Sequence, residues 1–290
     1  MFEKMLIPLD RSKLAERVFP AVTELARAFG SEVVFLGVCE QDSRDDERSC
    51  ELYMAGEASQ LKAGLIGTPA VLTTRVVSGK AAEQILSHAE AEHVDLIIMS
   101  SHGRSGITRW SLGGTADRVL KRVGVPLIVV RTNESAERTR IFDRILVPLD
   151  GSERSTAVLP MVVGLAAKVP CEVFLVEVIE PGIHVRTIGG MDYIPFKERD
   201  LVSTRETARK YLETMSAEFD STKAKVSSEV MEGDAARTIL DVAEQRDCTL
   251  IAMSSHGHSG IEIWSMGSVA SKIAEASRQS VWLVPSFSRH

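Results

Sequence analysis

The chain has 290 residues, 44% hydrophobic and 26% charged, with a formal net charge of −6. That balance belongs to a globular protein long enough for about two domains, each with its own core. It excludes a disordered or fibrous chain and offers no basic field to nucleic acid. No apolar run reaches the roughly 18 to 20 residues of a membrane span. Glu3 and Asp10 bracket an initial apolar stretch too short for a signal peptide, so a cytoplasmic location is expected. Cys39, Cys50, Cys171 and Cys248 form no CxxC pair, which points to reduced, buried thiols and no metal site.

In chain order, "MLIPL" predicts a first strand, followed by a helix over "SKLAERVFPAVTELARAFG" with Leu14, Val18, Val22, Leu25 and Phe29 on one face. Ser12 can cap that helix and Gly30 can end it. "EVVFLGV" is a second buried strand, Ser49 to Leu65 a helix and "AVLTTRVV" a third strand. A helix over "KAAEQILSHAEAE", a strand "DLIIMS", a helix "GTADRVLKR" and a strand "PLIVVR" complete the series. Strands that are apolar throughout and alternate with helices require parallel pairing with both faces covered.

The series is then written again. "LIPLDRS" at Leu6 returns as "LVPLDGS" at Leu146, and "EVVFLGV" at Glu32 as "EVFLVEV" at Glu172, both at an offset of 140. Later matches, such as Met99 with Met253, lie at an offset of 154, so the second copy carries about 14 extra residues. "EPGIHVRTIGGMDYIPF" (Glu180 to Phe196) is the candidate insert, and its Pro and Gly residues predict irregular chain, either a surface loop or a lid or interface arm. The organisation expected is a first domain over 1–131, a linker over 132–140 and a second domain over 141–290. Each domain is predicted to be a doubly wound five-stranded parallel α/β sheet, strand order 3-2-1-4-5, with helices on both faces. The fifth strands are natural edges for an internal pseudo-dimer.

Two 22-residue stretches, from Met99 and from Met253, agree at 12 positions, most of them small residues. Each places Ser-Ser-His-Gly after the fourth strand, at Ser100 to Gly103 and Ser254 to Gly257. Nine residues later a helix starts, at Gly113 and Gly114 or at Gly267 and Ser268. Glycine lets backbone approach a ligand, and a helix amino end offers free N–H groups and partial positive charge. Such a loop can hold phosphates in a chain of net negative charge, although the same glycines also serve ordinary capping. Asp10 and Asp150 follow "PL" at the carboxyl end of each first strand, suited either to a ribose or adenine hydrogen bond or to starting a turn. Val38 and Val178 end the second strands as apolar walls or as core.

The first strand ending in "PLD", the "GKAAEQIL" and "GDAARTIL" helices, the "MSSHG" loop and the Gly-Gly or Gly-Ser helix start together resemble the universal stress protein family, in tandem. The resemblance covers nearly all of the chain outside the linker and the insert. In that family the nucleotide-binding members carry Gly, two residues, Gly, nine residues, then Gly and Ser or Thr, and bind ATP. The implied cofactor is therefore ATP, with Mg2+ as its companion ion. The implied binding set in the first half is Pro8, Asp10, Val38, Ser100, Gly103, Gly113, Gly114 and Thr115. In the second half it is Pro148, Asp150, Val178, Ser254, Gly257, Gly267, Ser268 and Val269. Serine stands at the first Gly position in both copies, and only the second copy has a hydroxyl, Ser268, where the first has Gly114 followed by Thr115. The second half is thus the better ATP site. Arg104 and His258, which follow the motif glycines, differ in charge and either tune phosphate affinity or are solvated.

A Walker A lysine, a nucleophile paired with histidine and a carboxylate metal cluster are all missing from the sequence, so fast catalysis is not expected. His102 and His256 suit loop-orienting hydrogen bonds better than a general-base role. The leading expectation is an ATP-binding regulatory or stress-response protein that acts by nucleotide-dependent association, as a homodimer. A nucleotide-free scaffold and an adenylate-forming ATP hydrolase are the alternatives.

Overall fold

Five apolar runs in the first half become the strands β1 (Lys4–Leu9), β2 (Glu32–Cys39), β3 (Val71–Ser78), β4 (Leu96–Ser100) and β5 (Leu127–Val130). The computed structural model describes residues 1–40, 44–103, 112–132, 140–187, 190–195, 198–257 and 266–286, with backbone alone for those between 183 and 199. Helices α1 (Phe19–Phe29), α2 (Arg44–Gly64), α3 (Ala81–Ala91) and α4 (Gly114–Leu120) alternate with the strands. All pairings are parallel, in the order β3-β2-β1-β4-β5. β2 shows why the run is apolar on both faces: Val33, Phe35 and Cys39 join one core cluster with Val22, Leu25 and Met54. Val34 and Leu36 join the other with Ile85 and Val119.

The second half repeats the plan with β6 (Arg144–Leu149), α5 (Leu159–Lys168), β7 (Glu172–Ile179), β10 (Lys225–Glu232), α7 (Ala235–Gln245), β11 (Leu250–Ser254), α8 (Ser268–Ala276) and β12 (Ser280–Val284). Its strand order is β10-β7-β6-β11-β12, the same 3-2-1-4-5. Between β7 and β10 lie β8 (Gly182–Thr187), β9 (Gly190–Pro195) and α6 (Glu198–Ala217). The predicted irregular insert is thus an antiparallel hairpin, paired from Gly182↔Pro195 to Thr187↔Gly190. Gly182 and Gly190 open the two strands, and the run that includes Ile183, Val185 and Tyr193 has strand-forming composition.

The first helix also begins later than its hydrophobic face predicts. Ala15–Val18 is a 3-10 turn opened by Ser12, whose hydroxyl accepts from the Ala15 N–H at 3.1 Å, and α1 starts at Phe19 with Pro20 in its first turn. Proline fits there because its missing N–H has no intrahelical partner to lose. Gly30 ends α1 in the left-handed region at φ 70°, its N–H donating to the Ala26 carbonyl.

The two sheets fuse into one of ten strands, because β12 pairs antiparallel with β5. In that ladder Trp282 faces Ile128, flanked by Val281↔Val129 and Leu283↔Leu127. The offset of 154 makes Trp282 the counterpart of Ile128, so the pseudo-twofold relating the halves runs through this one pair. Side chains close the junction: the Phe2 ring lies 4.8 Å from Phe29 and 5.7 Å from Trp282. Phe2, Phe142, Val162, Leu165 and Trp282 belong to a single cluster spanning both halves. All four cysteines are buried with free thiols. Among the described residues no helix is long and apolar enough to cross a membrane.

Candidate functional site

The carboxyl ends of β1 and β4 lie side by side, because their strands are paired, and the turns that follow them face one another. Asp10 Oδ1 accepts from the Ser12 N–H at 3.1 Å and from Ser12 Oγ at 2.6 Å. Asp150 repeats this with Ser152 at 3.0 and 2.6 Å. The turn-starting role foreseen for both aspartates is present, and it uses one carboxylate oxygen. The other, Oδ2, abuts the loop glycine, so a Cβ on Gly103 would overlap Asp10 Oδ2 and one on Gly257 would overlap Asp150 Oδ2.

The loop itself is braced from behind. Ser101 N–H donates to the Val130 carbonyl and Gly113 N–H to the Ser101 carbonyl, each at 2.8 Å. In the second half Ser255 and Gly267 make the same bonds, to Val284 and Ser255 respectively, again at 2.8 Å. A Cβ on Gly113 would stand 3.1 Å from the Ser101 carbonyl oxygen, and one on Gly267 3.3 Å from that of Ser255. Both positions therefore favour glycine for close approach rather than for a left-handed backbone. The buried His102 ring has Nδ1 3.1 Å from Ser101 Oγ and 3.4 Å from Thr132 Oγ1. His256 Nδ1 lies 3.0 Å from Ser255 Oγ and 3.3 Å from Ser286 Oγ. Each histidine fixes the turn against the second residue after the fifth strand, Thr132 or Ser286.

In the first half these elements enclose a cavity of about 400 Å³. Pro8, Asp10, Val38, Ser100, Gly103, Gly113, Gly114 and Thr115, the whole first-half set, line it. Sequence reasoning missed four contributors of consequence: Leu36 and Ile85 as apolar walls, and Glu40 and Asp46 as additional carboxylates. Leu36 and Ile85 look like core in any single-strand or single-helix pattern, while Asp46 sits in an acidic first turn of α2 that helix-dipole arguments already explain. Asp46 is held by Arg11, whose Nη2 lies 2.6 Å from Asp46 Oδ1. An apolar wall, carboxylates able to accept from hydroxyl or amino groups, and backbone N–H groups at a helix start can together hold a small ligand with an apolar or hydroxyl-bearing part and an anionic part.

Of the second-half set, Ser254 is buried and its Oγ has no hydrogen-bond partner among the described residues, whereas its counterpart Ser100 donates to the His102 carbonyl at 2.7 Å. Pro148 pairs with Val176 inside the sheet, Val178 and Val269 pack partly buried against the core, and Gly267 caps α8, of which Ser268 is the first residue. The caps match: Gly113 has φ −61° and ψ 149°, Gly267 φ −58° and ψ 151°. Arg104 and His258 lie outside the described residues. Among the described residues no group of three or more His, Cys, Asp or Glu side chains could hold a metal ion.

Two doubly wound α/β units in tandem, each closing a Ser-Ser-His-Gly turn on the aspartate that ends its first strand, define the class of protein. The profile of the universal stress protein family matches residues 1–131 and 141–285, and the chain belongs to that family. A universal stress protein of Methanocaldococcus jannaschii is 25% identical over 158 residues, covering 54% of this chain and 86% of that one. One of Bacillus subtilis is 26% identical over 147 residues, covering 50% of this chain and 99% of its own length. Among solved structures, a universal stress protein of Archaeoglobus fulgidus superposes with a TM-score of 0.69 at 19% identity, covering 99% of this chain and 100% of the other. That likeness concerns the fold, and it includes the tandem arrangement.

Proposed function

We propose that the protein binds ATP in both halves and acts in stress response or regulation, its nucleotide state altering its association with itself or with partners. The observation that carries this reading is the convergence of eight separately placed residues, from four stretches of the first half, on one cavity of nucleotide size. The close contact between Asp10 and Gly103, repeated at Asp150 and Gly257, supports extending it to the second half. Mg2+ would come with the phosphates, which keep most of its ligands as water and phosphate oxygen. Turnover is slow in this proposal, because the sequence carries no Walker A lysine and the described residues hold no carboxylate cluster for a catalytic metal.

Calorimetric titration of the nucleotide-free chain with ATP tests the proposal, alongside mass spectrometry of gently denatured fresh protein for retained adenine nucleotide. Two bound ATP per chain are expected. No retained nucleotide and no heat of binding would favour the nucleotide-free scaffold. Rapid ATP turnover abolished by changing His256 or Asp150 would favour the hydrolase.

A further inference from the structure

Arg131 directly follows β5, yet its side chain serves the second half. It is 8% exposed, and its Nη2 donates to the Ala274 carbonyl and, at 3.4 Å, to that of Glu275. Its backbone N–H donates to Ser280 Oγ at 3.2 Å, at the start of β12. Ala274 and Glu275 lie in the last turn of α8, where carbonyls lack helical partners and the helix end carries partial negative charge. Burial lowers the Arg131 pKa to about 10, which leaves the guanidinium charged at neutral pH.

The other end of α8 is the Gly267–Ser268 start. A helix of nine residues is about 13 Å long and rigid over that length, so a displacement of one end is a displacement of the other. At the same end of the second half, Ser254 keeps a buried hydroxyl without a partner among the described residues, as a group that meets a ligand would. The arrangement is one-sided. The counterpart of Arg131 in the second half is Pro285, which has no side-chain donor to offer α4.

Resting on the nucleotide reading, we infer that Arg131 is a positioning residue for the second-half site: by anchoring the carboxyl end of α8 across the domain junction, it fixes the N–H groups of the first turn of α8, from Ser268 on, where phosphates bind. Adenosine, which does not reach the helix start, is indifferent to it. ATP is sensitive to it, at one site only.

The test uses the full chain, wild type and Arg131→Met, with hydrogen exchange of α4 and α8 followed as ATP is added and adenosine binding measured by calorimetry. In Arg131→Met the ATP concentration that half-protects α8 should rise about five- to tenfold, which corresponds to the upper range for a cation at a helix end. The α4 midpoint should stay within about twofold, and adenosine binding should be unchanged at both sites. Arg131→Lys keeps the charge and one donor, so its α8 midpoint should fall between the two. It also carries the test if the methionine variant does not fold. Equal shifts at α4 and α8, no shift at either, or an equal loss of ATP and adenosine would overturn the inference and leave the nucleotide reading standing. A wild-type chain in which ATP protects neither helix would remove both.

Discussion

Gly103 and Gly257 owe their identity to the carboxylate pressed against them rather than to their own backbone angles. Replacing Gly257 by Ala must push Asp150 away from the loop, so ATP binding in the second half should fall by more than about tenfold, as expected when a carboxylate partner of a bound group is displaced. Calorimetry would then find one strong site in place of two, and two unaltered sites would refute the role given to Asp150. Gly114 is the opposite case. A Cβ there meets nothing within 4 Å, so Gly114→Ser supplies the hydroxyl that Ser268 gives the second half without any clash. First-half affinity should rise about three- to tenfold in the same titration, while Ser268→Ala should lower second-half affinity alone by a similar factor. The residue types of this site were legible in the sequence; the contact between aspartate and glycine was not, because it joins positions 93 residues apart in the first half. Nor was the strain beside it. Arg11, with φ 66°, occupies the left-handed conformation that Gly151 adopts at φ 78° in the second half. The cost to a non-glycine residue is about 1–2 kcal/mol, offset here by the Arg11–Asp46 pair that a sequence cannot display.

Elements were legible wherever one period governed a whole run. The buried strands and α3 follow their apolar patterns closely, since both faces of the sheet are covered and nothing competes with burial. Pro20 moved the start of α1, and the insert paired with itself as β8 and β9 where its glycines suggested irregular chain. Charges at the amino edge of the first sheet tie elements together in a way that pH can read. Lys4, opening β1, meets Glu92, which caps α3, at 2.7 Å, with side chains 23% and 27% exposed. The hydrogen bond from Lys4 holds the Glu92 carboxyl below its usual 4.5. A folded-state pKa below the unfolded one means that the unfolded chain binds the proton first. The pair's contribution is then full above about pH 4.5 and is lost as pH falls through the lowered value. Partial exposure keeps it under about 1 kcal/mol. Glu92→Gln should therefore lower the unfolding midpoint slightly at pH 7 and by less at pH 3, as read by urea titrations at both values. An equal loss at both pH values would mean that packing, not charge, is what Glu92 supplies.

The molecule as a whole is organised by the single pair Ile128–Trp282. β5 and β12 are the last strands of their halves, each apolar on both sides, and the outer edge of each is paired with the other. A half on its own would expose that strand edge together with the face of Phe2 that now meets Trp282. The halves nevertheless use equivalent residues at the junction, so a second copy of the first half can offer β5 where β12 now lies, with Ile128 facing Ile128 about a true twofold. Residues 1–131 expressed alone should therefore form a dimer, and sedimentation at micromolar concentration should give twice the chain mass. Introducing a charge at the centre, Ile128→Lys, should abolish that dimer, because the two copies would place like charges directly opposite one another in an antiparallel pair. In the full chain the same substitution meets Trp282, which is fully buried, so it should lower stability there by several kcal/mol instead of changing assembly. A stable monomer of residues 1–131 would show that the five-stranded unit tolerates its open edge, and the axis through Ile128 and Trp282 would then be a consequence of duplication without being required for folding.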